Sequence, residues 1–270
     1  MTFKQSNESS ESARFYLSQI NITLKLMLTI NDFHVADFVQ QCSNENIFLH
    51  KELQLETPIC RYIPIDYLIE MLYSKKLYIS NRRNLNDKRE HGIKEDLRDM
   101  FSMAPISKNN KDTKKEAMRR AKLHEEAYST CVSCWTKHIE ESIMFWNCYG
   151  QSTCKISSTI GKLINSIKPE PYPIIISPVQ YNDKGRTEII QDKVFSKHEA
   201  YADEQEIRLC VLYYEHHILL NIDVQTLIES ITINPFFSKY YQQFIKDSLE
   251  EKYSFLNGRI KKSHLLEYKS

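Results

Sequence analysis

Glu204, Glu206 and Arg208 recur at alternate positions where the sequence predicts the start of a strand. Side chains alternate faces along a strand, so Glu204, Glu206, Arg208 and Cys210 would share one face. Gln205, Ile207, Leu209 and Val211 would share the other, an ordinary core face. Two carboxylates and a guanidinium are costly to bury unless they are paired or used. One reading is an exposed strand end carrying an Arg–Glu pair. The other is a carboxylate pair at a site, and that reading needs partners from elsewhere in the chain.

Two other predicted strands supply them. Residues 59–63, Ile-Cys-Arg-Tyr-Ile, place Arg61 beside Tyr62, and residues 129–135 place Ser129 and Ser133 on one face. An Arg can grip a pyrophosphate bidentately. A Ser can hold that Arg or a carboxylate in place. A Glu can bond a ribose hydroxyl and stabilise positive charge on an oxocarbenium ion.

Other chemistries fit less well. A metal-dependent nuclease could combine Asp87 with Glu206, but Glu206-Ile207-Arg208 puts an Arg where such sites prefer a Lys, and Arg does not give up its proton. Cys131 and Cys134 are three apart on a predicted strand and face opposite sides, so no metal site is expected. His198 lies near the carboxylates; His138 and the His216-His217 pair read as polar edge. Lys114, Lys115, Arg119, Arg120 and Lys122 read as the solvated face of a charged helix. Trp146 and Tyr149, one helical turn apart, read as packing residues.

The elements that must carry these groups form a mixed α+β pattern in a chain of 270 residues. Residues 1–13 read as a disordered tail, 14–57 as a helical segment and 58–270 as an α+β domain. Strand 59–63, helix 66–75 and strand 77–80 open that domain, and a polar loop with Asn86 and Asp87 follows. Next come a strand at 129–135, a short helix at 141–149, a helix at 155–167 and strand-like pieces around Pro178. The strand from Glu204 follows, then strands at 217–222 and 230–233 and a helix at 238–253. A net charge of +1 excludes a strongly basic body, so nucleic-acid binding would need a local patch. No run of ~20 apolar residues predicts a membrane span, and the N-terminus lacks the apolar core of a signal peptide. Seven cysteines at irregular spacing suggest reduced thiols in a cytoplasm. With only 5 glycines there is no Gly-rich phosphate loop.

Two resemblances follow from these landmarks. Arg61-Tyr62, Leu85-Asn86-Asp87, Cys131-Val132-Ser133, Phe145-Trp146-Asn147-Cys148-Tyr149 and Glu204-Gln205-Glu206-Ile207-Arg208 resemble, in order, the motifs of a widespread bacterial family of uncharacterised proteins. Lys88, Val132 and Tyr201 depart from its Pro, Phe and Trp. The same order is similar to that of ADP-ribosyltransferases of the Arg-Ser-Glu kind. That resemblance implies a split β-sheet core with flanking helices that binds NAD in a cleft. It implies Glu206, Glu204 and Ser133 as catalytic residues, with Glu206 on the nicotinamide ribose, Glu204 toward the acceptor and Ser133 supporting the cleft. It implies Arg61, Tyr62, Ser129 and Asn86 as NAD-binding residues, NAD as substrate and a macromolecular acceptor, protein or nucleic acid. A bacterial toxin or antiphage-defence effector would fit. The alternative is a non-catalytic domain that reads a nucleotide or nucleic acid through Arg61, Arg82, Arg83 and Arg89.

Overall fold

The computed structural model describes residues 37–41, 44–84, 130–150, 152–181, 194–211 and 217–265. The chain runs β1 (Phe38–Gln41), β2 (Asn44–His50), β3 (Pro58–Pro64), α1 (Ile65–Ser74), β4 (Lys76–Asn81), β5 (Cys131–Thr136), α2 (Ile143–Cys148), β6 (Thr153–Thr159) and α3 (Ile160–Ser166). It continues through β7 (Ile174–Pro178), β8 (Gln180–Tyr181), β9 (Ser196–Lys197), a 3-10 turn (Glu199–Glu204) and β10 (Glu206–Val211). β11 (His217–Asn221), α4 (Val224–Leu227), β12 (Ser230–Ile233), α5 (Lys239–Lys252) and β13 (Ile260–Lys262) complete it. The result is a mixed α and β structure built on one large sheet, with β8 and β9 as a separate parallel pair. Among the described residues no helix is long and apolar enough to cross a membrane.

The sheet forks at β5. One edge of β5 pairs with β10 along its whole length, from Cys131↔Val211 to Thr136↔Glu206. The other edge changes partner. Val132 and Cys131 pair with Ser80 and Asn81 of β4, whereas Thr136 pairs with Cys60 of β3. β4 leads to β11, and β3 leads through β6 to β12 and β13. Between the two branches the ladder on that edge is open from Ser133 to Trp135.

Burial explains why β10 is central. It pairs with β5 on one side and β7 on the other, and all of its residues are buried. Ile207, Leu209 and Val211 enter the main core with residues such as Trp135, Ile156, Leu163 and Ile231. The opposite face meets a smaller cluster of Val132, Ile175, Val194, Phe195 and Cys210. The polar Glu206 and Arg208 lie on that second face and are paired with each other.

Local chemistry sets the ends of several elements. Lys75, at φ 56°, closes α1 with its N–H on the Met71 carbonyl. Asp223 and Ser238 cap α4 and α5, their side chains accepting from Gln225 and Tyr241 N–H groups. The sequence reading is corrected at three places. Residues 38–41 and 44–50, assigned to a helical segment and a connector, are strands, and β2 runs parallel to β7 within the same sheet with Ile47 and Leu49 in the core. The division at residue 58 therefore does not separate a helical piece from a sheet domain. Residues 155–159, assigned to a helix, are strand, because Thr153–Thr159 fills the place between β3 and β12 and only the following residues turn. Glu204 ends the 3-10 turn and does not begin the strand. Gln205, at φ 44°, reverses the chain after it, with its N–H on the Ala202 carbonyl. The expected disordered tail, the Ser129 position and the basic cluster at 114–122 lie outside the described residues.

Leu209 is 0% exposed and Tyr240 is 92% exposed. Leu209→Ala is expected to lower unfolding free energy by about 2–5 kcal/mol, and Tyr240→Ala by less than about 0.5 kcal/mol, both read by urea denaturation. Equal effects would contradict this account of the core.

Candidate functional site

The cleft opens where β3 leaves β5. Cys60, Arg61 and Tyr62 border it from β3, Cys134, Trp135 and Thr136 from β5, Phe145 and Tyr149 from α2 and its end, and Glu204 and Glu206 from the start of β10. It spans about 270 Å³, its open mouth included. Because it lies where strand pairing stops, groups from both faces of the sheet border it.

Arg61 sits on the inner face of β3, between Ile59 and Ile63 of the core. Its Nη1 donates to Ser133 Oγ at 2.8 Å, and its guanidinium carbon lies 6.0 Å from the Trp135 ring centroid. Trp135 Nε1 donates to the same Ser133 Oγ at 3.1 Å. Ser133 is thus the shared acceptor that aims Arg61 across the gap. Burial holds the Arg61 guanidinium below its ordinary pKa, with Cys134 and Tyr149 pulling it back up. No carboxylate among the described residues pairs with it.

The opposite wall is acidic and tightly tied. Arg208 donates from Nε to Glu206 Oε1 at 2.7 Å and from Nη2 to Oε2 at 3.2 Å, and from Nη1 to the Val194 carbonyl at 2.7 Å. Lys197 Nζ donates to Glu206 Oε2 at 3.3 Å and to Glu204 Oε2 at 2.7 Å. Burial alone would raise the Glu206 carboxyl. The Arg208 guanidinium first, then Lys197 and the Cys134 thiol, overcome it and hold the pKa at about 2 against an ordinary 4.5. The backbone is fixed too. Glu206 N–H donates to Tyr181 Oη at 2.7 Å, and the Thr136 hydroxyl donates to the Glu204 carbonyl while accepting from His138 N–H. Among the described residues that border or back the cleft, Lys197 and Arg208 pair with Glu204 and Glu206, and Arg61 pairs with no carboxylate.

Several positions differ from the sequence reading. Arg61 and Glu206 border one cleft, but Ser133 does not look into it. Ser133 pairs with Leu209, on the face opposite Glu206, and is 0% exposed. It touches Arg61 and stays away from the acidic wall, which makes it a support. Tyr62 is buried against Phe145 and Trp146 and stacks on Tyr149 at 5.9 Å. Burial raises its phenol pKa, with Cys60 adding to the rise. Trp146 is buried packing as expected, whereas Tyr149 borders the cleft and is half-exposed. Arg82 is buried rather than offered to a ligand. His198 caps the 3-10 turn, accepting from Ala200 N–H at 3.1 Å. Cys131 and Cys134 do face opposite sides, one in the core and one at the cleft. Ser129, Asn86, Asp87 and Arg89 lie outside the described residues, as does the Arg83 side chain. Lys197, Thr136 and Tyr181 escaped the sequence reading. The only signal was a Lys seven residues before Glu204, in a stretch crowded with other charges.

No family model matches the chain, and no curated protein does. Among solved structures, Thermus sp. 2.9 DarT in complex with ADP-ribosylated ssDNA is similar at 13% identity, over 78% of this chain and 96% of that one, with a TM-score of 0.37. A likeness that distant carries no weight for function, and the geometry above stands by itself.

Two outcomes check the site. A carboxyl whose pKa is depressed by folding contributes stability that is complete above its ordinary value and is lost as pH falls toward its folded value. For Glu206 that window runs from 4.5 down to about 2. At ~1.4 kcal/mol per unit the contribution is on the order of 3 kcal/mol. Denaturant titrations between pH 6 and pH 2 should show that acid-dependent loss in wild type and a much flatter profile in Glu206→Gln. Parallel profiles would rule out the ionised pair. Thr136→Val should cost about 1–3 kcal/mol by orphaning the Glu204 carbonyl and His138 N–H, measured by the same titration at pH 7.

Proposed function

We propose that this cleft binds NAD and breaks the bond between nicotinamide and ribose, as ADP-ribosyltransferases do, passing ADP-ribose to a macromolecular acceptor or to water. The observation that carries the reading is Arg61: a half-buried guanidinium at a cleft, aimed by Ser133, with no carboxylate partner among the described residues. Among the described residues that cation has no anion, and a pyrophosphate suits its fork of donors. The ionised Glu206 faces it across the same cleft.

In this reading Arg61 grips the pyrophosphate and the nicotinamide ribose lies toward Glu204 and Glu206. The C–N glycosidic bond breaks, and nicotinamide leaves with the bonding electron pair as a neutral molecule. The positive charge left on the ribose is stabilised by carboxylate charge that Arg208 and Lys197 have already fixed in place. The acceptor's hydroxyl or amine, or a water, then attacks the ribose carbon and gives up its proton to solvent at the open mouth. In the same reading Tyr149, which borders the cleft and is half-exposed, would cover the ring that leaves.

A second reading has one observation behind it. Both Glu206 oxygens already accept from Arg208, and the residue is 4% exposed. A carboxylate so committed suits a scaffold, and the cleft would then bind a nucleotide without turning it over.

Calorimetry with NAD tests the shared premise and separates the roles. Arg61→Ala should weaken binding about 10- to 100-fold, the scale of a lost charge-assisted hydrogen bond. Glu206→Gln should change it by less than about threefold, because that charge matters most when the bond is breaking. A wild-type chain that binds neither NAD nor ADP-ribose would defeat the first reading, and one that also binds no adenine or guanine nucleotide would defeat the second.

A further inference from the structure

The acidic wall contains a second buried cation besides Arg208. Lys197 lies in β9, its side chain only 6% exposed. β9 and β8 form a pair of two-residue strands, with Lys197 opposite Tyr181. From this small platform both residues reach the start of β10. Tyr181 takes the Glu206 N–H, and Lys197 takes the carboxylates of Glu204 and Glu206 together.

Two carboxylates brought to one ammonium would otherwise repel each other, and one of them would take up a proton. Arg208 grips Glu206 through both of its oxygens. The bond to Glu204 is the shorter of the two that Lys197 makes, at 2.7 Å against 3.3 Å. Lys197 is also fixed from its other side. Its ammonium lies 4.6 Å from the Tyr201 ring centroid, on the 3-10 turn that carries Glu204. Among the described residues, the carboxylates that face it are Glu204 and Glu206, and the neutral phenols of Tyr149 and Tyr181 lie close enough to feel its charge. Arg208 bonds the same Glu206 carboxylate, sharing Oε2 with Lys197, and the Cys134 thiol bonds it too. Its position therefore matches a shared counter-ion better than a surface lysine whose stem merely packs.

We propose that Lys197 is a positioning residue that holds Glu204 and Glu206 side by side as two carboxylates, so that the cleft works as a doubly ionised wall. The effect on turnover rests on the function proposed above; the effect on the carboxylates does not. Glu206 keeps Arg208 when Lys197 is lost, and the shorter of the two Lys197 bonds goes to Glu204, so Glu204 is the carboxylate whose protonation moves most.

The experiment has two arms. Carbon-detected NMR titration of the glutamate carboxyls compares wild type with Lys197→Met, Lys197→Gln and Lys197→Arg. In the two neutral variants the Glu204 midpoint should rise by about one unit or more, the usual effect of losing an adjacent opposite charge. Lys197→Arg should restore it to near the wild-type position. Midpoints unchanged in the neutral variants would overturn the proposal. Wild type alone supplies a further check should those variants not fold: the Lys197 Nζ resonance should shift with the Glu204 titration, and an Nζ signal indifferent to it would also overturn the proposal. In the second arm, the acid limb of NAD turnover should move to higher pH in the neutral variants and return with Lys197→Arg, with KM little changed. If wild type consumes no NAD, only the proposed function falls, and the NMR arm still decides the role of Lys197.

Discussion

The bidentate pair between Arg208 and Glu206 is the constraint on which the rest of this structure depends. It places a guanidinium with no exposed surface between two sheet neighbours. Removing either partner would leave a buried charge uncompensated, at a cost of about 3–5 kcal/mol. Such a pair is not an efficient source of stability, because apolar residues of equal volume would often do as well. Its position suggests what it is for. It lies on the face of β10 away from the main core, and it leaves a fixed negative charge at the edge of a cleft. Val194, Lys197, Tyr181 and Cys134 all contribute bonds to this one corner. Arg208 holds ionised a carboxylate that burial alone would push toward protonation.

The fork in the sheet is the second requirement. A continuous sheet would have paired Ser133 to Trp135 and closed the gap. Because β5 trades β4 for β3 along one edge, the backbone parts there and Arg61 can cross to Ser133. Ser133 is hidden beneath, yet it decides where the guanidinium points. Positive and negative walls then face each other over a narrow opening, and the positive one has no carboxylate partner among the described residues. An ion pair closed across the gap would have filled the site. Arg208 and Lys197 keep the acidic wall satisfied from behind, which leaves Arg61 for a ligand.

Much of this was legible in the sequence, and the misses have physical causes. The β-rich runs around Arg61 and Ser133 and the alternating Ile207, Leu209 and Val211 gave those strands correctly, since period-two burial survives in the pattern. Thr153–Thr159 was missed because Lys155 and four hydroxyl residues blur that period, although tertiary pairing with β3 makes the segment a strand. β1 and β2 were missed because β2 is buried by a parallel partner more than a hundred residues away, which local periodicity does not report. Glu204 was placed on the strand by alternation alone. A left-handed Gln205 breaks that count, and no Gly marks the turn. The two carboxylates still meet, but through Lys197 and not through a shared strand face. That long-range link had no signature in spacing, nor did the switch of face that separates Ser133 from Glu206.

The central claim is that the ionised Glu206, fixed by Arg208 and Lys197, acts on a glycosidic bond of a nucleotide gripped by Arg61. The most direct measurement is nicotinamide released from NAD by purified wild-type chain and by Glu206→Gln, followed over time at saturating NAD. The account predicts steady release by wild type and a loss of about a hundredfold or more in the variant, the scale of lost transition-state electrostatics. Release by Glu206→Gln at the wild-type rate, or none by wild type that binds NAD, would contradict it.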